Sequence, residues 1–221
     1  ICDYGEKAFK GVKIETISFL VSSKQNIEPS NEIIIESFID NSYSKKKKDY
    51  ILSDDFPYWL IYRNDKFDKI ASKMKLDIFQ SFRDRQITKK ITKEDGEVRV
   101  LKSRNVGSNK IKNLDSYDCY IDDVQSLAVS KYLNEEDVVM VPNLTYYPRA
   151  TFLPKNTITD GSVALLTLKN GSRLPTEFDL AFYGTKEFEK YYRVARNHGT
   201  RSLNIDNNSV FFFGLLKELT E

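Results

Sequence analysis

Between residues 98 and 168 the apolar residues come in short runs, and this spacing constrains the fold more than any other feature of the chain. The runs at 98–101, 117–121, 137–141, 150–153 and 162–168 are four to seven residues long. That is strand length rather than helix length. Asp122 and Asp123 end the second run and Pro142 stops the third. Upstream, residues 12–21 alternate and then turn apolar, which predicts a partly buried strand. Residues 32–39 predict a second, paired with the first across a polar loop containing Pro29. The run Ser44-Lys45-Lys46-Lys47-Lys48-Asp49 predicts a charged surface turn.

Helical periodicity occurs in two places. Asn64 or Asp65 can cap a helix whose apolar positions are Phe67, Ile70, Ala71, Met74 and Ile78. Residues 177–196 place Phe178, Phe182, Phe188, Tyr191, Tyr192 and Ala195 at helical spacing, and Gly184 divides them into two shorter helices. The expectation is an α+β fold: a mixed, mostly antiparallel, β-rich domain with flanking helices. With 40% hydrophobic and 13% aromatic residues the chain can bury a sizeable core, so wholesale disorder is excluded. The apolar run at 210–216 is too short to span a bilayer and reads as a buried segment. No signal-peptide pattern is present. Cys2 and Cys119 have no nearby cysteine and read as free thiols in a reducing cytoplasm. Ile1 in place of Met suggests a fragment or processed product, and heavy use of Lys, Ile, Asn and Tyr suggests an AT-rich bacterial genome.

The net charge of +2 says little, but its distribution says more. Residues 81–113 carry ten Lys/Arg against four acids, whereas residues 114–142 carry seven acids against Lys131 alone. Such polarity fits a molecule with one phosphate-facing side and one side turned away. Catalytic motifs are missing. There is no glycine-rich cofactor loop, no Asn/Asp-Pro-Pro-aromatic tetrapeptide, no P-loop and no HExxH. A single histidine, His198, excludes multi-histidine metal sites. The paired acids Asp54-Asp55 and Asp122-Asp123 read as turn or solvated residues.

Several phrases occur in a family-like order. Lys75-Leu76-Asp77-Ile78-Phe79 looks like a "KLGDIF" opening, with Asp77 where Gly often stands. Residues 100–106 (Val-Leu-Lys-Ser-Arg-Asn-Val) resemble a strand entering a "G-N/D-I" turn. Leu133-Asn134-Glu135-Glu136-Asp137-Val138-Val139 resembles "L-x-x-G-D-I-L", again with an acid for Gly. Gly161-Ser162-Val163-Ala164 and Thr200-Arg201-Ser202-Leu203-Asn204-Ile205 resemble the phrases that follow. Together they resemble the target recognition domain of restriction-modification systems, found in type I specificity subunits and in adenine-specific DNA methyltransferases. Phe9-Lys10-Gly11-Val12-Lys13-Ile14-Glu15-Thr16-Ile17 is similar to the closing strands of such a methyltransferase's catalytic domain.

The resemblance implies residues 1–62 as the end of a catalytic domain plus linker, and 63–221 as the recognition domain. It implies reading of double-stranded DNA within a TaqI-like, type II or IIG N6-adenine methyltransferase located in the cytoplasm. The catalytic domain of the same parent chain would be the partner, and no membrane would be involved. S-adenosylmethionine would belong to that parent domain, with no cofactor or metal in this chain and no catalytic residue. Four loops are the candidate contacts. The first carries Arg83, Arg85, Gln86, Lys89 and Lys90, placed on a loop after a helix. The second carries Arg104 and Asn105, and the third Tyr147 and Arg149 beside Tyr146 and Pro148. The fourth carries Arg196, Asn197 and Arg201 beside His198. Arg and Gln suit base edges, while Lys suits phosphates. Three alternatives stay open: a free-standing specificity subunit, a metal-dependent restriction nuclease, and a protein-interaction module, the last disfavoured by the missing coiled-coil heptad.

Overall fold

A computed structural model describes residues 1–21, 30–169, 171–196, 198–199 and 203–217. The chain is α+β. Its first sheet holds β1 (Cys2–Gly5), β2 (Thr16–Ser18), β3 (Glu32–Ser37) and β4 (Ser42–Lys47) in the order β2-β1-β3-β4. Two helices follow, α1 (Lys48–Ile51) and α2 (Asp65–Ser72). Then come β5 (Met74–Lys75), β6 (Phe79–Phe82), β7 (Val98–Leu101), β8 (Cys119–Ile121), β9 (Val139–Pro142), β10 (Leu144–Thr145), β11 (Thr151–Phe152), β12 (Thr157–Thr159) and β13 (Val163–Leu168). The helices α3 (Glu177–Tyr183) and α4 (Lys186–Ala195) precede the short strands β14 (Leu203–Asn204) and β15 (Leu215–Leu216). The central sheet runs β11-β9-β13-β6 and a neighbouring one β12-β7-β8. Among the described residues only the β1–β3 and β12–β7 ladders are parallel, so the fold is mostly antiparallel.

The central sheet lies between two hydrophobic cores, and its side chains divide by parity as pleating requires. Val139, Val141, Ala164 and Leu166 face the aromatic core built by Phe67, Phe188, Tyr191, Phe212 and Phe213. Met140, Val163 and Leu165 face the core under β7 and β8, with Val100, Leu101 and Ile121. Burial on both faces is why these strands read as unbroken apolar runs rather than alternating ones.

Four expectations need correction. The strand expected over 12–21 shrinks to β2, and the flanking apolar side chains are exposed, Leu20 by 94%. It does not pair with β3, because β1 lies between them. The lysine run is no turn: β4 pairs antiparallel with β3 along its whole length, and Lys46 Nζ donates to Ile61 O (2.9 Å) and Arg63 O (2.7 Å). An edge strand needs little apolar content, and its lysines keep other chains from adding to the sheet. Finally, the helix at 65 ends at Ser72, so Met74 opens β5 and Ile78 lies buried beyond a left-handed Asp77 (φ 56°).

Other features follow the sequence closely. Asn64 caps α2, its side chain accepting from Phe67 N at 3.0 Å. Replacing Asn64 by Ala should cost about 1 kcal/mol, and Asn64→Ser should recover most of it; urea denaturation reads both, and equal stability of the three proteins would refute the cap's contribution. Gly184 does separate α3 from α4. A Cβ there would fall 2.5 Å from Ser108 Oγ, so the glycine admits the 107–109 loop between the helices.

The first sheet shares no ladder with the others among the described residues. It is joined to them by side chains around position 62, where the Tyr62 hydroxyl donates to Asp3 and contacts Ser37 Oγ (3.0 Å) while its ring stacks on His198 at 3.5 Å. No helix among the described residues is long and apolar enough to cross a membrane.

Candidate nucleic-acid interface

Strand direction sorts the charges. β6 leads into Arg83, β7 into Lys102, β9 into Asn143 and β12 into Asp160, and β13 starts just after Gly161 and Ser162. The pairings Phe82–Leu165, Val163–Pro142 and Thr159–Leu101 put these ends together. Hydrogen bonds tie the loops: Ser103 N donates to Ser162 Oγ (2.9 Å), and Arg149 donates to Ser103 O (3.0 Å) and Val106 O (2.7 Å). Glu94, Asp95, Glu97, Asp122, Asp123 and residues 135–137 lie at the other end. There Asn156 joins Glu97 O (3.1 Å) to Asn134 Oδ1 (2.7 Å). The two ends of the sheets therefore differ in charge, although Asp84, Asp118 and Asp160 stay with the basic loops and Lys93 pairs with Asp122 at the acidic end.

The first loop follows a strand, β6, rather than a helix, because the helix ends ten residues earlier. Asp84 is 2% exposed and accepts from Gln86 N (2.8 Å) and Ile87 N (2.6 Å), which turns Arg83 and Arg85 outward. Gly161 sits under this turn, where a Cβ would come within 2.6 Å of Asp84 O. Arg83, Arg85, Lys89 and Lys90 are exposed and form no ion pair among the described residues. Gln86 is exposed too, and its Oε1 accepts from Ala128 N (2.7 Å), which ties this loop to the segment after β8. Lys89 and Lys90 lie in a turn closed by Ile91 N donating to Thr88 O (3.1 Å).

In the second loop Arg104 is exposed and, like Lys102, lies over the Tyr117 ring (4.9 and 4.0 Å). Asn105 is fully buried. It accepts from Lys102 N (2.9 Å) and donates to Lys112 O (3.0 Å) and Asp118 Oδ1 (2.6 Å), so it builds the loop and has no surface to offer a base. Asp118 is in turn held by Arg99 at 2.6 Å. Burial pushes the Asp118 carboxyl up, but its bonds to Arg99, Asn105 and Leu114 N outweigh that and hold it below the usual carboxylate range.

Arg149 in the third loop is likewise structural. Beyond the two carbonyls it donates to Thr145 Oγ1 at 2.6 Å, and burial lowers its pKa. Tyr147 is 57% exposed with Lys186 Nζ 4.4 Å from its ring centre. In the fourth loop Arg196 is engaged by Asn204 Oδ1 (2.9 Å) and Asp206 (2.9 Å). Asn197 and Arg201 lie outside the described residues. His198, half-buried against Tyr62, has its pKa lowered by burial. No cluster of three or more His, Cys, Asp or Glu able to hold a metal occurs among the described residues.

Sequence reasoning did not name Lys102, Lys110, Leu144 or Lys186 among its contact loops. Lys110 is exposed in the loop held by Gly107 N donating to Lys110 O (2.8 Å). Lys186 opens α4, some forty residues from Tyr147, and only the fold brings them together. No family model matches the chain, and no curated protein matches it.

Proposed function

We propose that this chain reads double-stranded DNA as the recognition module of a cytoplasmic restriction-modification N6-adenine methyltransferase. The observation that carries the reading is the gathering of Arg83, Arg85, Lys102, Arg104 and Lys110 on loops at one end of the sheets, with the acids of 94–97, 122–123 and 135–137 at the other. A duplex is met by such a face through its phosphates, and base edges are read by the arginines nearest the groove. The left-handed backbone of Asp77 adds support, since the recognition-domain phrase it resembles carries Gly there, the residue that adopts this conformation without cost. In this reading S-adenosylmethionine and the chemistry belong to the catalytic domain of the parent chain, and this chain supplies position and specificity.

Arg83 and Arg85 are assigned to base edges, and Lys89 and Lys90 to phosphates. Replacing both lysines by Ala should weaken binding to every duplex and reduce the salt slope by about 2. Replacing Arg83 or Arg85 should cost about 1–3 kcal/mol on the preferred site, selected from a randomised pool, and little on random DNA. Salt-titrated anisotropy on the parent enzyme reads all of these. Unchanged affinity and slope in every variant would refute the assignment of this face.

A further inference from the structure

The helices α2 and α4 pack against each other and leave a groove of about 450 Å³ between them. Four exposed lysines line it, Lys66 and Lys69 from α2 and Lys186 and Lys190 from α4. Lys66, Lys69 and Lys190 form no ion pair among the described residues. Glu187, the acid in the lining, is taken by Lys73 at 3.0 Å. The floor is apolar but closed: Phe67 and Tyr191 are each 1% exposed, and their rings stack with centres 4.8 Å apart. Lysine stems can lie on such a floor while the ammonium heads stay in water. The groove also adjoins the basic loops. α4 starts where Gly184 meets Ser108, and Lys186 Nζ lies 4.4 Å from the centre of the Tyr147 ring. Lys190 follows one turn on, about 6 Å along the helix axis.

We propose that this groove is a track for the sugar–phosphate backbone, carrying one strand of the duplex from the basic loops past Lys186 and Lys190 to Lys66 and Lys69. This rests on the DNA-reading proposal and extends it to a second surface, built on helices rather than loops. Charge decides the occupant. A protein partner gains affinity by burying large exposed apolar side chains at the centre of its interface. Here those side chains are buried already, so what remains to be gained is attraction between the lysines and an anion. Ammonium heads on flexible stems act as point charges, which suits phosphates whatever the base sequence. The track therefore adds affinity on every duplex and leaves base reading to the arginines.

The test is salt-titrated anisotropy of the full 221-residue chain on a random-sequence duplex of about 30 base pairs, about 100 Å long and able to span both surfaces. Lys66→Ala/Lys69→Ala/Lys190→Ala should lower the salt slope by about 3, close to one counterion per lysine. The matching Arg triple should keep the slope, because the charges stay in place. A control with the same change in charge, Lys10→Ala/Lys13→Ala/Lys47→Ala, removes exposed lysines of β4 and the β1–β2 loop and should change it little. A groove triple that acts no differently from this control overturns the track and leaves an acidic protein as the groove's partner. The Lys89/Lys90 pair, measured on the same duplex, then still tests the DNA-reading proposal by itself. Absence of binding by the unmodified chain overturns both.

Discussion

Replacing Asp179 by Ala should lower the stability of the chain by about 3–5 kcal/mol, the cost of removing one partner from a buried ion pair. For a protein of this size that is a fall in Tm on the order of 10 °C. Asp179 is 0% exposed and holds three parts of the molecule together. Its oxygens accept from both terminal nitrogens of Arg173 (2.8 and 2.9 Å), from Thr176 N and Oγ1 (2.8 Å each) and from Leu216 N (2.9 Å). Ala leaves the Arg173 charge and two backbone donors without their acceptor, and it also removes half of the capping box of α3. Asp179→Asn keeps the volume but loses the charge and one acceptor oxygen, and it should fall between the two.

The same residue gives a pH dependence. Burial raises the Asp179 pKa, but the Arg173 guanidinium and the N–H groups of Thr176 and Leu216 outweigh that and hold it below the usual carboxylate range. A group whose folded pKa is depressed contributes stability above its unfolded value, near 3.9, and loses it as pH falls through the folded value. The gap between the unmodified protein and Asp179→Ala should therefore be full at pH 7 and shrink below about pH 4. Urea denaturation of both at pH 7 and pH 3 measures it. A gap under about 1 kcal/mol at pH 7, or one that does not shrink at pH 3, would show that the carboxylate is not the tie described.

The second large effect is at Arg149. Arg149→Ala should cost roughly 3 kcal/mol, because the carbonyls of Ser103 and Val106 lose a charged donor while they stay inside the fold. Arg149→Lys should not restore it: one ammonium cannot reach both carbonyls and Thr145 in the fixed geometry of a guanidinium. Amide hydrogen exchange should quicken around 103–107 and 145–149 together in Arg149→Ala, since this side chain couples the two loops. Exchange that quickens in only one of them would refute the coupling.

Strands buried on both faces were legible because nothing polar interrupts them: 137–141 and 162–168 mark β9 and β13 within two residues. The caps and breaks of the helices were legible for a local reason, as Asn64 and Gly184 act on their immediate neighbours. β4 was hidden because Ser-Tyr-Ser-Lys-Lys-Lys has no apolar signal, and its strand conformation comes from β3 alongside it. The 12–21 stretch misled in the opposite sense: apolar alternation reports a capacity for burial, not the presence of something to bury it. At the interface, the exposure of Arg83, Arg85 and Lys89 could be anticipated from their turn. The burial of Asn105 and Arg149 could not, since a polar side chain bonded inside a fold and one facing water are the same letter in a sequence.

The loops at the basic end contribute unequally to the body of the molecule. From 83 to 90 only Ile87 packs against a core, while Asp84 and Gly161 set the turn. Arg83, Arg85, Lys89 and Lys90 can therefore be exchanged without repacking anything beneath them. Asn105 and Arg149 have no such freedom. The molecule thus separates what it can vary from what it must keep, and new contacts can be acquired at the first loop while the frame that presents them stays unaltered.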